Sequence, residues 1–339
     1  MKEPFARTER KIAVIGGGTG SFTLLSALKN HTKQIAALVN MADDGGSTGV
    51  LRDELGALPP GDVRQCLVAL SSSPKVRDLF NYRFEEGGLK GHAFGNLFLS
   101  ALEKMTGDFA AGVELASEVL GVKGVVEPIT LSNVRLVMRN KDGSDLVGEF
   151  KIAEHNFAGY RPDFRLEPEA TPNPRALRAI ETADIVVIAP GNLYGSLAPA
   201  LVVPGVGEAL RNTKAFKVYV CNLVTKPGQT DGFTVSDFAA EIERLAGSDF
   251  LDAVIFNTET PSPELLERYA KEGENSVVYD EAKLRGAHYK AVGGNLLAGA
   301  VWQNKNASDP LSAQRTLIRH DSAAAARAII DLYDNTRGR

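Results

Sequence analysis

Between an apolar run at residues 11–15 (KIAVI) and a second one carrying Leu24, Leu25 and Leu28 at helical spacing stand Gly16, Gly17, Gly18, Thr19 and Gly20. A further buried strand is expected at residues 35–40. Strand, glycine turn, helix and strand make a βαβ unit, and such a unit commits a chain to a mostly parallel sheet covered by helices on both faces. The same rhythm returns at residues 184–189 (DIVVIA), 217–221 (KVYVC) and 252–256 (DAVIF), with a helix-like stretch at 235–245. The sheet is therefore expected to be built from both ends of the chain.

Residues 134–152 break this rhythm by alternating apolar and polar residues around Asp142-Gly143, a pair suited to a hairpin turn. Residues 125–152 are read as an antiparallel hairpin insertion, and the proline-rich stretch 159–175 (GYRPDFRLEPEATPNPR) as an extended connection back to the sheet. The organisation expected is one α/β domain over 1–339, with a β-rich insertion and its connection at 125–165. The tail from 307 onward, including the alanines at 323–326, reads as terminal helices.

With 339 residues, of which 44% are hydrophobic, the chain can bury a large core. A net charge of -4 argues against a general nucleic-acid binder, which usually carries a concentrated basic surface. The two cysteines, Cys66 and Cys221, both lie in apolar stretches and read as reduced, buried thiols. The N-terminus lacks an apolar leader core, and no apolar run reaches the ~18 residues that span a bilayer. A cytosolic protein without a membrane span is expected.

In an open parallel sheet, ligands bind at the carboxyl ends of the strands, where loops and helix N-termini converge. The unusual residues fall there repeatedly: Gly16 to Gly20 after the first strand, Asp43 and Asp44 after the second, then Asn192 and Tyr194, Asn222, and Asn257 after the later ones. The glycine loop is not a dinucleotide fingerprint, because Ser21 replaces the third glycine and Asn40 the ribose-binding acid. Nor is it a P-loop, since no Gly-Lys-Ser/Thr follows. What remains is a glycine turn at a helix N-terminus that presents N–H groups and the Thr19 hydroxyl to an anion. Asp43 and Asp44 suit a hard cation accompanying a phosphate, or helix capping; Asp62, after the rigid Pro59-Pro60-Gly61 turn, supplies a third carboxylate. Arg64 suits a phosphate or an acid, and His92 with Asn96, in GHAFGNLFLSAL, suit a phosphate or a helix start.

Taken in order, IAVIGGGTGSFTLLSALK, ADDGGSTGVLRDELGALPPGDVRQCLVALS, GHAFGNLFLSAL, APGNLYGSLAPALVVPGVGEAL and VYVCNLVTKPGQTDGFTVSD resemble the gluconeogenesis-factor family, the YvcK-like branch of the CofD-like superfamily. The resemblance implies a three-layer Rossmann-like α/β/α fold in a cytoplasmic bacterial protein. It also implies binding of a UDP-sugar such as UDP-N-acetylglucosamine, in a role linking gluconeogenic carbon metabolism to cell-wall synthesis and cell shape. The sister branch, the 2-phospho-L-lactate transferases, moves a phospholactyl group from a guanosine diphosphate derivative to a deazaflavin with magnesium. The chain matches that branch at the glycine loop, at Asp43 and Asp44, and at Asp62, although Asp62 stands here in a Pro-Pro-Gly-Asp context rather than Ser-Pro-Asp.

Two readings follow, a UDP-sugar-binding regulatory factor and a magnesium-dependent transferase of a nucleoside-diphosphate-activated group. In both, Gly16, Gly17, Gly18, Thr19 and Gly20 contact phosphate. Asp44 and Asp62 are the candidate metal ligands or catalytic carboxylates, with Mg2+ as the cofactor. Asp43, Arg64, His92 and Asn96 serve as further phosphate contacts, and Asn192, Tyr194 and Asn222 address the nucleoside or sugar. Expected partners are a nucleoside diphosphate ligand, a regulatory protein, and a second copy of the chain docked on the apolar face of the hairpin.

Overall fold

The computed structural model describes residues 9–299 and 318–337. Seven strands form one parallel sheet: β1 (Ile12–Gly16), β2 (Ile35–Val39), β3 (Val125–Pro128), β7 (Ile185–Ile188), β8 (Phe216–Val220), β9 (Ala253–Asn257) and β10 (Lys290–Gly294), in the order β10-β9-β8-β7-β1-β2-β3. A smaller antiparallel sheet has the order β5-β4-β6, from β4 (Arg135–Arg139), β5 (Asp145–Val147) and β6 (Asp163–Glu167).

Alternation along the strands sorts the core into two layers, because successive side chains of a strand point to opposite faces. Ala13 and Ile15 of β1, with Val186 and Ile188 of β7, pack on one side. Ile12 and Val14, with Ile185 and Val187, pack on the other. The second layer is covered by α1 (Gly18–Leu28), α3 (Gly61–Leu70), α5 (Phe94–Thr106), α6 (Phe109–Leu120) and the C-terminal helix Ser322–Arg337. The first is covered by the helices Pro174–Thr182 and Val235–Ala246 and by the small sheet, whose Leu136, Met138 and Leu166 join the same cluster. This is the three-layer α/β architecture expected. No single helix among the described residues is long and apolar enough to cross a membrane. Both cysteines are free and buried.

The insertion differs from its expected outline in three places. Val125–Pro128, expected to open it, is instead the parallel edge strand beside β2. The second hairpin arm stops at Val147, where Gly148, at φ +109°, turns the chain into α7 (Glu149–Glu154). The supposed connection supplies β6, paired to β4 along its whole length. The hairpin turn itself is where Asp142 was expected to place it: its carboxylate accepts from the Ser144 N–H at 2.9 Å and hydroxyl at 2.6 Å. Leu136 and Met138 of the hairpin pack into the core cluster of the large sheet, while Val147 on its second arm is 40% exposed. Of the expected terminal helices, the alanines at 323–326 lie within Ser322–Arg337, while 307–317 lie outside the described residues.

Candidate functional site

β1 has β2 on one side and β7 on the other, so the connections leaving its carboxyl end and that of β7 diverge and open a crevice there. The two loops touch through backbone: a Cβ on Gly20 would lie 1.6 Å from the Pro190 carbonyl oxygen. Gly18, at φ +63°, makes the turn into α1, whose first turn exposes Thr19. The α1 N-terminus has no side-chain cap of its own, since Gly17 is its N-cap residue. Asp62, in the first turn of α3, leans into that gap: its Oδ2 would lie 2.0 Å from a Cβ at Gly17, and its Oδ1 3.6 Å from one at Gly18. The missing side chain of Gly17 thus seats a carboxylate at the helix N-terminus, where the aligned peptide dipoles favour negative charge.

The loop after β2 leads into α2 (Gly46–Leu55). Asp43 accepts from the Gly45 N–H at 3.0 Å, an Asx turn that starts this entry. Asp44 reaches across to the insertion, accepting from the Phe150 N–H at 2.8 Å, with Arg135 of β4 at 3.5 Å. Ser47 contacts His92 Nδ1 at 2.9 Å and accepts from Asn96 Nδ2 at 3.4 Å. Arg64 donates to Asn96 Oδ1 at 2.9 Å and to Asn81. Arg64, His92 and Asn96 are therefore drawn into one network whose hub, Ser47, the sequence reading passed over. Its signal was its place in the Gly-Gly-Ser-Thr-Gly turn.

On the β7 side, Asn222 stitches two loops together: its Nδ2 donates to the Gly191 carbonyl at 2.7 Å, and its Oδ1 accepts from the Tyr219 hydroxyl at 3.0 Å. Asn192 accepts from the Gly195 N–H at 3.2 Å and remains part-exposed. Asn257 donates to the Glu259 carbonyl at 2.6 Å and accepts from the Leu296 N–H, past the end of β10, at 3.1 Å. Tyr194 departs from expectation. It is fully buried, stacks on Phe164 at 5.2 Å, and donates its hydroxyl to Glu241 at 3.0 Å, so it belongs to the core under the insertion and not to a nucleoside. Its place in a tight turn after β7 gave the wrong impression, because that turn points the large apolar ring inward.

Glu149, absent from the sequence reading, is the first residue of α7 and enters the crevice from the insertion. Its Oε1 would lie 2.2 Å from a Cβ on Gly195. Burial, then the charges of Asp43, Asp62 and Asp44, push its carboxyl up to about 8, against the opposing charge of Lys226. A neutral acid thus stands among three carboxylates at pH 7. Lys226, on the loop after β8, is held below its usual value by burial. Glu149 left no sequence signal because the segment 134–152 alternates like a strand.

Among the described residues no three His, Cys, Asp or Glu side chains are grouped to hold a metal ion. Asp44 is committed to the insertion and Asp62 to the glycine loop, so the expected Asp44–Asp62 magnesium pair finds no ready donor set. A groove of about 560 Å3 lies at the opposite, amino-terminal edge of β1 to β3, lined by Lys11, Lys33 and Val125, and none of the candidate residues borders it. Convergence of loops, helix terminus and titratable groups, rather than volume, singles out the crevice.

The family model described as 2-phospho-L-lactate transferase CofD matches residues 12–297. The chain is 41% identical over 321 residues to a putative gluconeogenesis factor of Thermotoga maritima, covering 94% of this chain and 98% of that one. It is 39% identical over 324 residues to the gluconeogenesis factor of Bacillus subtilis, covering 95% and 98%. A crystal structure of a UPF0052 family member from Bacillus halodurans has a TM-score of 0.86 at 38% identity, covering 96% of this chain and all of that one.

Proposed function

The chain belongs to the CofD family, and from that premise we propose that it is a cytoplasmic gluconeogenesis factor whose switch-point crevice binds a nucleoside diphosphate, in the first place a UDP-sugar such as UDP-N-acetylglucosamine. In this role it links gluconeogenic carbon metabolism to cell-wall synthesis and cell shape. Near full-length similarity to gluconeogenesis factors supports the first half of this reading. The observation that carries the second is the N-terminus of α1, which has no cap from its own Gly17, behind the glycine loop at the β1–β7 crevice, an anion-binding arrangement.

Each part of the crevice then has a task. The N–H groups of the first turn of α1 and the Thr19 hydroxyl hold phosphate oxygens. The Arg64–Asn96–Ser47–His92 network fixes the β2 loop that closes one side, and His92 offers a donor from its edge. Asn192 and the Asn222-bound Gly191 turn face the sugar or nucleoside from the other side. Asp62 already lies on the loop, so a phosphate shares the α1 terminus with a carboxylate. Neutralisation of that carboxylate, by a proton or an accompanying cation, tightens phosphate binding.

The test is a calorimetric titration of the purified protein with UDP-N-acetylglucosamine and with GDP, each with and without magnesium. The expected result is saturable, uridine-selective binding with the sugar nucleotide recovered intact. Absence of binding to either nucleotide overturns the reading. In parallel, expression of this chain is expected to restore growth on gluconeogenic carbon sources to a Bacillus subtilis strain lacking its own factor.

A second reading, transfer of a group from a nucleoside-diphosphate-activated donor, is favoured by the match to a family model described as a transferase. Magnesium-dependent preference for GDP, or breakdown of the sugar nucleotide, in the same titration is its signature.

A further inference from the structure

Helix α7 is clamped at both ends by loops of the crevice. At its start Asp44 accepts from the Phe150 N–H at 2.8 Å. At its end the Gln229 side chain, on the loop after β8, donates to the Ile152 carbonyl at 2.7 Å and to those of Ala153 and His155 at 3.2 Å. Between the clamps Glu149 points inward to Gly195, and the next residue, Phe150, leaves half of its surface, 50%, in solvent.

That ring stands apart from the other exposed aromatics. Tyr82 and Tyr279 are exposed to a similar degree, but each leans on another ring, Phe84 at 5.3 Å and Phe256 at 4.9 Å. Phe150 has no ring neighbour among the described residues. On the side of the β2 loop it meets Gly45, which has no side chain to cover it; a Cβ there would lie 3.5 Å from the ring. The main chain beneath the ring is fixed by the Asp44 hydrogen bond, so an incoming group meets a face whose backbone is already ordered.

We propose that Phe150 is the stacking face for the planar base of the nucleotide whose phosphates lie on the glycine loop. The inference rests on the nucleoside diphosphate reading above and deepens it. Phe150 stands beside the β2 loop that flanks the crevice: its ring meets Gly45 and its N–H is held by Asp44, and the Asp62 that lies on Gly17 is within electrostatic reach of the neighbouring Glu149. Stacking tolerates any base because every base has a π-face, so Phe150 supplies affinity for the base and leaves the choice of base to polar groups.

The experiment compares wild type, Phe150→Ala and Phe150→Tyr in titrations with UDP and with inorganic pyrophosphate. Phe150→Ala is expected to weaken UDP binding about tenfold or more, as loss of one base–aromatic stack does. Pyrophosphate binding is expected to stay unchanged, and Phe150→Tyr to keep wild-type UDP affinity. Equal loss for UDP and pyrophosphate, or no loss for either, overturns the stacking role while leaving the nucleotide reading intact. Wild-type protein that binds pyrophosphate but not UDP overturns both. Thermal unfolding of the alanine variant at the wild-type temperature keeps a folding defect apart from these outcomes.

Discussion

At the scale of single residues, the glycines of the opening loop owe their identity to neighbours far away in sequence. Gly20 lies against the Pro190 carbonyl, and backbone cannot yield as a side chain can. Gly20→Ala is expected to cost about 1–3 kcal/mol, the usual range for forcing a methyl into packed structure, read as a lower urea midpoint. Gly17 faces the tip of the Asp62 side chain instead, which can swing away. Gly17→Ala combined with Asp62→Ala is therefore expected to be more stable than Gly17→Ala alone. The loop was legible in the sequence as a glycine turn at a helix N-terminus. That two of its glycines make room for other parts of the chain was not, because the groups they accommodate come from the loop after β7 and from α3.

At the scale of elements, α7 illustrates how a six-residue helix is kept in place. An isolated helix of that length is unstable in water, so its order depends on the bonds at its ends. Asp44→Ala removes the acceptor for the Phe150 N–H, and loss of a hydrogen bond to a charged group costs about 1–3 kcal/mol. Hydrogen exchange at Phe150 and Ile152 is expected to quicken while exchange in β1 stays slow; unchanged protection in α7 would show that Gln229 alone holds it. The hairpin turn was readable from Asp142-Gly143. The third strand β6 and the helix α7 were not, since their pairing partners are β4 on one side and the loops of the large sheet on the other. β10 was missed for a related reason: its sequence, KAVGG, has no apolar run, and pairing with β9 is what makes it a strand.

At the scale of the whole molecule, two groups set opposite pH dependences. Glu149 is raised to about 8 by burial and neighbouring carboxylates, so its stabilising contribution is complete below the ordinary carboxylate value and is lost as pH rises through about 8. His320, with Nε2 at 3.0 Å from the Cys221 carbonyl, is lowered by burial to about 4, so stability falls as pH drops from about 6.5 towards 4. Between about 4.5 and 6.5 the native state carries the proton on Glu149 and the unfolded state carries it on His320, and the two slopes cancel. Glu149→Gln is expected to flatten the curve between about pH 6.5 and 8 and to uncover the His320 slope between about 6.5 and 4.5, where stability then falls as pH drops; His320→Gln is expected to uncover the Glu149 slope over that window, where stability then rises as pH drops, each read against wild type in urea denaturation series. Parallel curves for a variant and wild type would remove that residue from the account. The sequence by itself determined the parallel α/β class, five of the seven strands of the large sheet and the edge on which polar loops gather, because hydrophobic periodicity and turn residues act over a few neighbours. Only the tertiary structure decided that Asp62 sits on the glycine loop, that Tyr194 turns into the core, and that α7 brings Glu149 to Gly195 and Phe150 to Gly45. Those placements depend on contacts between segments from tens to more than a hundred residues apart, and no local pattern encodes them.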